Sequence, residues 1–225
     1  MEKISVIIPT IQKNIKVLKS LLSSLLTDEV VGEILIINNA ERMLVIPSDK
    51  VRVLNQKENI FVNASWNLGV ELVGNDIFLI LNDDILPCEN FCSKIYNSGI
   101  LNNESTGLIG LDNSFIKNVP RSTKLLNKPE GLGEPCFTEL SNYFNTGDWG
   151  SAFFGRKQNY YRIPEELKII FGDNYLLYKN LKNGKKNYSI GNLYFNHIHS
   201  LSSASPEFRE IVKNDMDNYK KYFTN

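Results

Sequence analysis

Two carboxylates stand side by side at Asp83-Asp84, preceded by Asn82 and directly behind the apolar run Ile77-Phe78-Leu79-Ile80-Leu81. Adjacent carboxylates repel one another unless a cation or a hydrogen-bond donor compensates them. Oxygen ligands of this kind suit Mg2+ or Mn2+, ions that also grip a diphosphate. The apolar run has the length of a strand and is far too short to cross a bilayer. Buried parallel strands bring their ligand-binding residues to their carboxyl ends, which is where Asn82-Asp83-Asp84 falls. Taken alone, the triplet also reads as a plain acidic turn. Four more polar groups stand at expected strand ends: Pro9-Thr10, Asn38-Asn39, Asp173 and His197.

These residues need strands and helices to hold them. Ile4 to Ile8 is expected to be a buried strand stopped by Pro9, which lacks an N–H, and Thr10 to cap the next helix. In that helix Leu18, Leu21, Leu22, Leu25 and Leu26 form one apolar stripe, a core face. Glu33–Ile37 and Val51–Leu54 read as the next strands. A helix over Phe61–Val73, ended by Gly74, leads to the strand Asp76–Leu81. Strands alternating with helices predict a parallel sheet with right-handed crossovers. Leu108–Leu111 reads as a further strand. The span Asp112–Asn145, rich in Pro and Gly, reads as irregular, and a loop of that length is functional or mobile. Beyond it the pattern predicts a strand over Ser151–Phe154, a helix from Gly155, a helix over Tyr175–Leu181 and a last strand over Asn187–Phe195. Pro206–Phe223 reads as an amphipathic helix with Phe208, Ile211, Val212, Tyr219, Tyr222 and Phe223 on its apolar side. Its polar face mixes both charge signs, which favours docking on the domain, with peripheral membrane contact left open.

Composition bounds the rest. The 225 residues, 42% of them hydrophobic, suit one α/β domain with a packed core. Lys+Arg and Asp+Glu number 25 each, so no nucleic-acid partner is expected. Cys88, Cys92 and Cys136 lack the paired spacing of a zinc site, and an odd count argues against a disulfide framework. With no leader-like start and no apolar stretch of about 20 residues, the expected location is cytoplasmic.

In order and spacing, the motifs resemble those of family 2 glycosyltransferases, the nucleotide-sugar enzymes with the GT-A fold. The matching pieces are Val6-Ile7-Ile8-Pro9-Thr10; Ile36-Ile37-Asn38-Asn39; Glu58-Asn59 with Asn67-Leu68-Gly69; the Asp-x-Asp-like Asn82-Asp83-Asp84; Phe171-Gly172-Asp173-Asn174; and His197. The resemblance implies a single domain over 1–225 with a Rossmann-like, mixed but mainly parallel central sheet flanked by helices. Within it, 1–111 is the nucleotide-binding half, 112–205 the acceptor side and 206–225 a C-terminal helix. It implies transfer, with inversion, of a hexosyl group from a nucleoside-diphosphate sugar to a hydroxyl of a glycan or glycoconjugate, as in polysaccharide biosynthesis, with Mn2+ or Mg2+ as cofactor.

Carried over by residue, Pro9 and Thr10 resemble the loop under the nucleotide. Asn38 takes the place of an Asp that touches the base. Asn59, Asn63 and Asn67 fall beside the nucleotide, and Asn82 and Asp83 near the ribose. Asp84 and His197 match metal ligands, and Asp173 the catalytic base. Asp148 and Trp149 fall where such folds meet the acceptor, with the Trp149 ring available to stack on a sugar. His199 and Ser202 lie within reach of the phosphates. The chain departs from the family with Asn38 and Asn82 for carboxylates, Phe61 and Trp66 where Gly and Arg are common, and Asn174 where a second acid is frequent. For Asp173 the structural alternative is a helix N-cap, for His197 a structural role, and for Trp66 and Trp149 packing. Two other readings stay open: a sugar-phosphate nucleotidyltransferase, which would want a Gly-rich loop where Thr10-Ile11-Gln12-Lys13 stands, and a carbohydrate-binding pseudoenzyme.

Overall fold

The computed structural model describes residues 2–120, 123, 127–129, 133–144, 147–198 and 206–223. Strand β1 (Ile4–Thr10), buried along its whole length, lies between β2 (Val31–Asn38) and β4 (Ile77–Leu81), with β3 (Val51–Asn55) beyond β2; all four run parallel. Such strands are continuous apolar runs because both faces are covered. Ile4, Val6 and Ile8 pack with helix α1 (Ile15–Leu26), while Ile7 packs on the other side with helix α2 (Phe61–Leu72).

Past β4 the sheet becomes mixed. Strand β9 (Ala152–Arg156) runs antiparallel between β4 and β6 (Thr106–Leu111). Beyond them lie β10 (Lys186–Gly191), parallel to β6, and β8 (Cys136–Glu139), antiparallel at the edge. A second sheet of three short strands, β5 (Ile85–Pro87), β11 (Phe195–His197) and β7 (Ile116–Asn118), sits behind the end of β4. Helices α3 (Phe91–Asn97), α4 (Gly172–Lys182) and α5 (Arg209–Asn218) complete the flanking layers. None of the described helices is long and apolar enough to cross a membrane.

Local expectations changed where tertiary pairing outweighs local signals. Pro9 ends only one of the two ladders of β1: pairing with β4 stops at Ile7, but pairing with β2 continues through Thr10 opposite Asn38. Asn14, not Thr10, caps α1, accepting from the Val17 N–H at 3.2 Å. Gly155 does not open a helix. It lies opposite Phe78 in the β4–β9 ladder, and only a three-residue 3-10 turn, Lys157–Asn159, follows the strand. The expected strand over Asn187–Phe195 is two strands in two sheets, parted at Asn192, whose φ is 64°. The span after Asp112 is not wholly irregular, since it contributes β7 and β8.

The C-terminal segment docks on the domain, as its apolar side predicts. Tyr219 stacks on Phe171 with ring centres 4.3 Å apart, and Phe223 stacks on Tyr143 at 5.6 Å. A carboxylate does the remaining work. Asp215 is fully buried and accepts the backbone N–H groups of Lys168, Ile169 and Ile170 at 2.9, 2.7 and 2.9 Å. Those residues have no sheet or helix partners of their own, so without Asp215 their donors are orphaned. Asp215→Ala is expected to cost on the order of 3 kcal/mol in urea unfolding, against almost nothing for the exposed Asp217→Ala. Equal effects of the two would remove Asp215 as the anchor.

Candidate active site

A cavity of about 580 Å³ opens beyond the carboxyl ends of β1 and β4. The turn after β4 supplies its acidic floor. The Thr10 hydroxyl, at the end of β1, donates to the Asp83 carboxylate and so joins the two strand ends. Burial and, next, the charge of Asp84 push Asp83 up to about 7, while the Thr10 hydrogen bond pulls it down. Asp84 is buried deeper, and its Oδ1 has no hydrogen-bond partner.

The small sheet exists beside this turn, and its register brings a histidine to it. His197 lies opposite Ile85, and the Ile198 N–H donates to the Asp84 carbonyl at 2.9 Å. His197 Nε2 is thereby held 3.4 Å from Asp84 Oδ1, while its Nδ1 stands 3.7 Å from Asp148 Oδ2. Burial alone would lower the imidazole, but Asp148 and Asp84 outweigh it and raise His197 to about 9.

No Lys or Arg is among the described residues that line the cavity, although Asp83, Asp84, Asp148 and Asp173 all do. Nor do three or more His, Cys, Asp or Glu among the described residues make a metal site by themselves. What the cavity holds is a buried carboxylate oxygen paired with an imidazole nitrogen at 3.4 Å. Once the imidazole gives up the proton that its two carboxylates hold on it, that pair fits a divalent cation such as Mn2+ or Mg2+ whose remaining ligands come with the substrate.

A separate wall carries Asp173, in the first turn of α4. Its carboxylate lies against the backbone of Gly150, where a Cβ would come within 2.6 Å of Asp173 Oδ2. Only glycine allows that approach. Burial raises Asp173 above the usual carboxylate value, and the backbone N–H groups of Asn174 and Asp173 itself oppose the rise.

Of the residues singled out in the sequence, Pro9, Thr10, Asn59, Asn82 and the acidic set with His197 come together here. Others lie off the cavity. Asn38 donates to Arg42 O at 2.8 Å and to Asn55 Oδ1 at 2.7 Å, holding the loop after β2, and its neighbour Asn39 lines the cavity instead. Asn63 donates to Leu167 O at 2.9 Å, and Asn67 exchanges hydrogen bonds with the Ile163 backbone, both at 2.9 Å. Both are clamps on the segment that Asp215 also holds. Trp149 is buried, stacked on Phe153 at 5.4 Å and set against Gly110, with its Nε1 donating to Tyr188 O. A ring so placed packs the core. His199 and Ser202 lie outside the described residues.

The sequence reading passed over the apolar lining. Phe61, Val62, Trp66, Ile169, Ile170, Phe171 and Phe208 all face this cavity. Phe61 and Trp66 were visible only as departures from the family pattern. For Ile169 and Ile170, apolar residues in a stretch without periodicity, no sequence signal existed.

An acidic turn at the end of a central parallel strand, followed by an antiparallel insertion and a second small sheet, makes this a GT-A glycosyltransferase fold. The chain superposes over 99% of its length on GalNAc-T7, solved with UDP, GalNAc and Mn2+, with a TM-score of 0.65 and 13% identity, and spans 50% of that chain. It also superposes over 99% on residues 1–349 of TarS from S. aureus, with a TM-score of 0.58 and 14% identity, spanning 67% of that chain. The UDP complex of the same TarS segment gives a TM-score of 0.56 and 16% identity. No protein-family model matches the sequence, and no curated protein matches it.

Asp173 supplies a test of the electrostatics. Its folded-state pKa is raised, so folding favours the protonated acid. The penalty of the charged form is absent below the ordinary carboxylate value and grows as pH rises through the folded value. Asp173→Asn should therefore raise Tm near pH 7.5, with the gain shrinking toward pH 4. A gain independent of pH, or a loss at pH 7.5, would contradict the assignment.

Proposed function

We propose that the chain is a metal-dependent glycosyltransferase. It moves a hexosyl group from a nucleoside-diphosphate sugar to an acceptor hydroxyl, with inversion, in the synthesis of a glycan or glycoconjugate. The observation that carries the reading is Asp84 Oδ1 facing His197 Nε2 in the same cavity as a buried, raised-pKa Asp173. The similarity of the fold to GalNAc-T7, solved with UDP, GalNAc and Mn2+, and to TarS, solved with UDP, supports it.

Asp84 and His197 would hold Mn2+ or Mg2+ together with the diphosphate. Charge neutralisation of the departing diphosphate is what such an ion supplies when bound. Asn82 and Asp83 stand at the ribose, with Pro9, Thr10, Asn39 and Asn59 around the nucleoside. Asp148 holds His197 from its far side. Asp173 takes the proton of the attacking hydroxyl, and its raised pKa makes it a better acceptor than an exposed carboxylate. A single base suffices for one displacement, hence the inversion. Most of the donor site thus comes from the 1–111 half, with His197 and Asp148 added to it from the later part of the chain, which also supplies Asp173.

Two measurements test this. In calorimetry UDP should bind well with Mn2+ and poorly in EDTA, and Asp84→Ala should abolish the difference; equal affinity with and without metal in the wild type would sink the metal role. Asp173→Asn keeps the shape, and Asp173 lies within the first turn of α4 while Phe171 takes the N-cap position that the sequence offered to Asp173. Donor affinity should then stay near wild type while kcat falls by roughly 10²–10⁴-fold. A variant retaining more than about a tenth of the turnover would leave Asp173 a merely structural residue of the first turn of α4.

A further inference from the structure

The cavity is chemically divided. Its floor is polar and acidic, whereas Phe61, Val62, Ile169, Ile170, Phe171 and Phe208 present hydrocarbon. Three stretches distant in sequence are pinned together to build that wall. The Asn63 N–H donates to Lys168 O at 3.1 Å, Asp215 gathers Lys168 to Ile170, and the Phe208 ring stands edge-on to Phe61 at 6.3 Å. Two of its members sit in a conformation that phenylalanine avoids. Phe61 and Phe171 have φ of 65° and 64°, left-handed values that glycine or asparagine adopts at lower cost. Retaining a bulky ring at both places, on one cavity, points to a use for the rings beyond their own packing.

The diphosphate and the sugar of the donor do not suit this wall. A diphosphate and a polyhydroxylated sugar need charged and hydrogen-bonding partners, which lie around Asp83, Asp84 and His197. The wall instead adjoins the base, since Phe171 precedes Asp173 by two residues. A second sugar ring could lay a C–H face on Phe61 or Phe171, but its hydroxyls would lie unpaired over Val62, Ile169 and Ile170. We propose that the acceptor carries an aliphatic aglycone next to its hydroxyl-bearing part, and that Phe61, Phe171 and Phe208 select it. This inference rests on the reading of Asp173 as the base.

Both tryptophans are buried and packed on Phe153, so occupancy is read by calorimetry. The wild-type chain, without donor, is titrated with methyl, butyl, hexyl and octyl β-D-glucoside below their micelle concentrations. Affinity should tighten by roughly two- to fourfold per added methylene, the range for burial of apolar area. The increment should flatten in Phe61→Asn and Phe171→Asn, which remove the ring but tolerate the left-handed backbone. Phe208→Ser, in the terminal 3-10 turn, serves if either fails to fold. Equal affinity for methyl and octyl glucoside overturns the proposal, as does an unchanged increment in every folded variant. Loss of chain-length dependence with intact metal-linked UDP binding removes the apolar acceptor alone. Intact chain-length dependence without UDP binding removes the transferase reading instead.

Discussion

Two neighbouring carboxylates at the end of a fully buried strand cannot both remain charged without compensation, and the structure is arranged around that fact. Strand β4 delivers Asp83 and Asp84 to a place where water screens them poorly. Asp83 is answered by the Thr10 hydroxyl, which ties the end of β1 to the turn, and its pKa still rises. Asp84 is answered only by His197, and the short sheet of β5, β11 and β7 gives the frame that holds this histidine in register. Without it, His197 would be one more polar residue after a strand.

The second organising device is the use of buried polar side chains to fasten a stretch that has no regular structure. Residues 163 to 171 lead into the cavity wall, which Ile169, Ile170 and Phe171 help to form, yet their backbone donors and acceptors find few partners among themselves. Asn67 pairs with Ile163, Asn63 with Leu167, and Asp215 with three successive amides. Each such group, left unpaired, would cost more than an ordinary hydrogen bond contributes. The heavy use of asparagine is therefore partly scaffolding, since an amide offers a donor and an acceptor without a charge to desolvate. The same fastening orders the wall beside Asp173, so stability at the C-terminus and the shape of the site are one property.

The site also opposes stability to function. Burial that raises Asp83 and Asp173 makes their charged forms costly, and several acidic groups gather with no Lys or Arg among the described lining residues. Gathering these groups in one cavity costs electrostatic stability, and a ligand that brought positive charge would relieve it. Left-handed Phe61 and Phe171 add a steric counterpart on the apolar side.

What the sequence determined by itself was the part governed by short-range pattern. Continuous apolar runs marked β1, β2 and β4, an apolar stripe marked α1, and the punctuation of those runs by Pro9-Thr10, Asn38-Asn39 and Asn82-Asp83-Asp84 marked the neighbourhood of the cavity. Strand ends are legible because hydrophobicity stops there. Tertiary structure alone decided the rest. Whether Asn38 or Asn39 faces the cavity depends on the loop that Asn55 and Arg42 draw over β2. Whether Gly155 begins a helix or continues a strand depends on the ladder with β4. Trp149 went to the core because Gly110 leaves room for its ring, and Asp215, polar by type, is buried because three amides 45 or more residues away needed it. These outcomes rest on contacts between distant residues, and local pattern carries no record of which partner arrives.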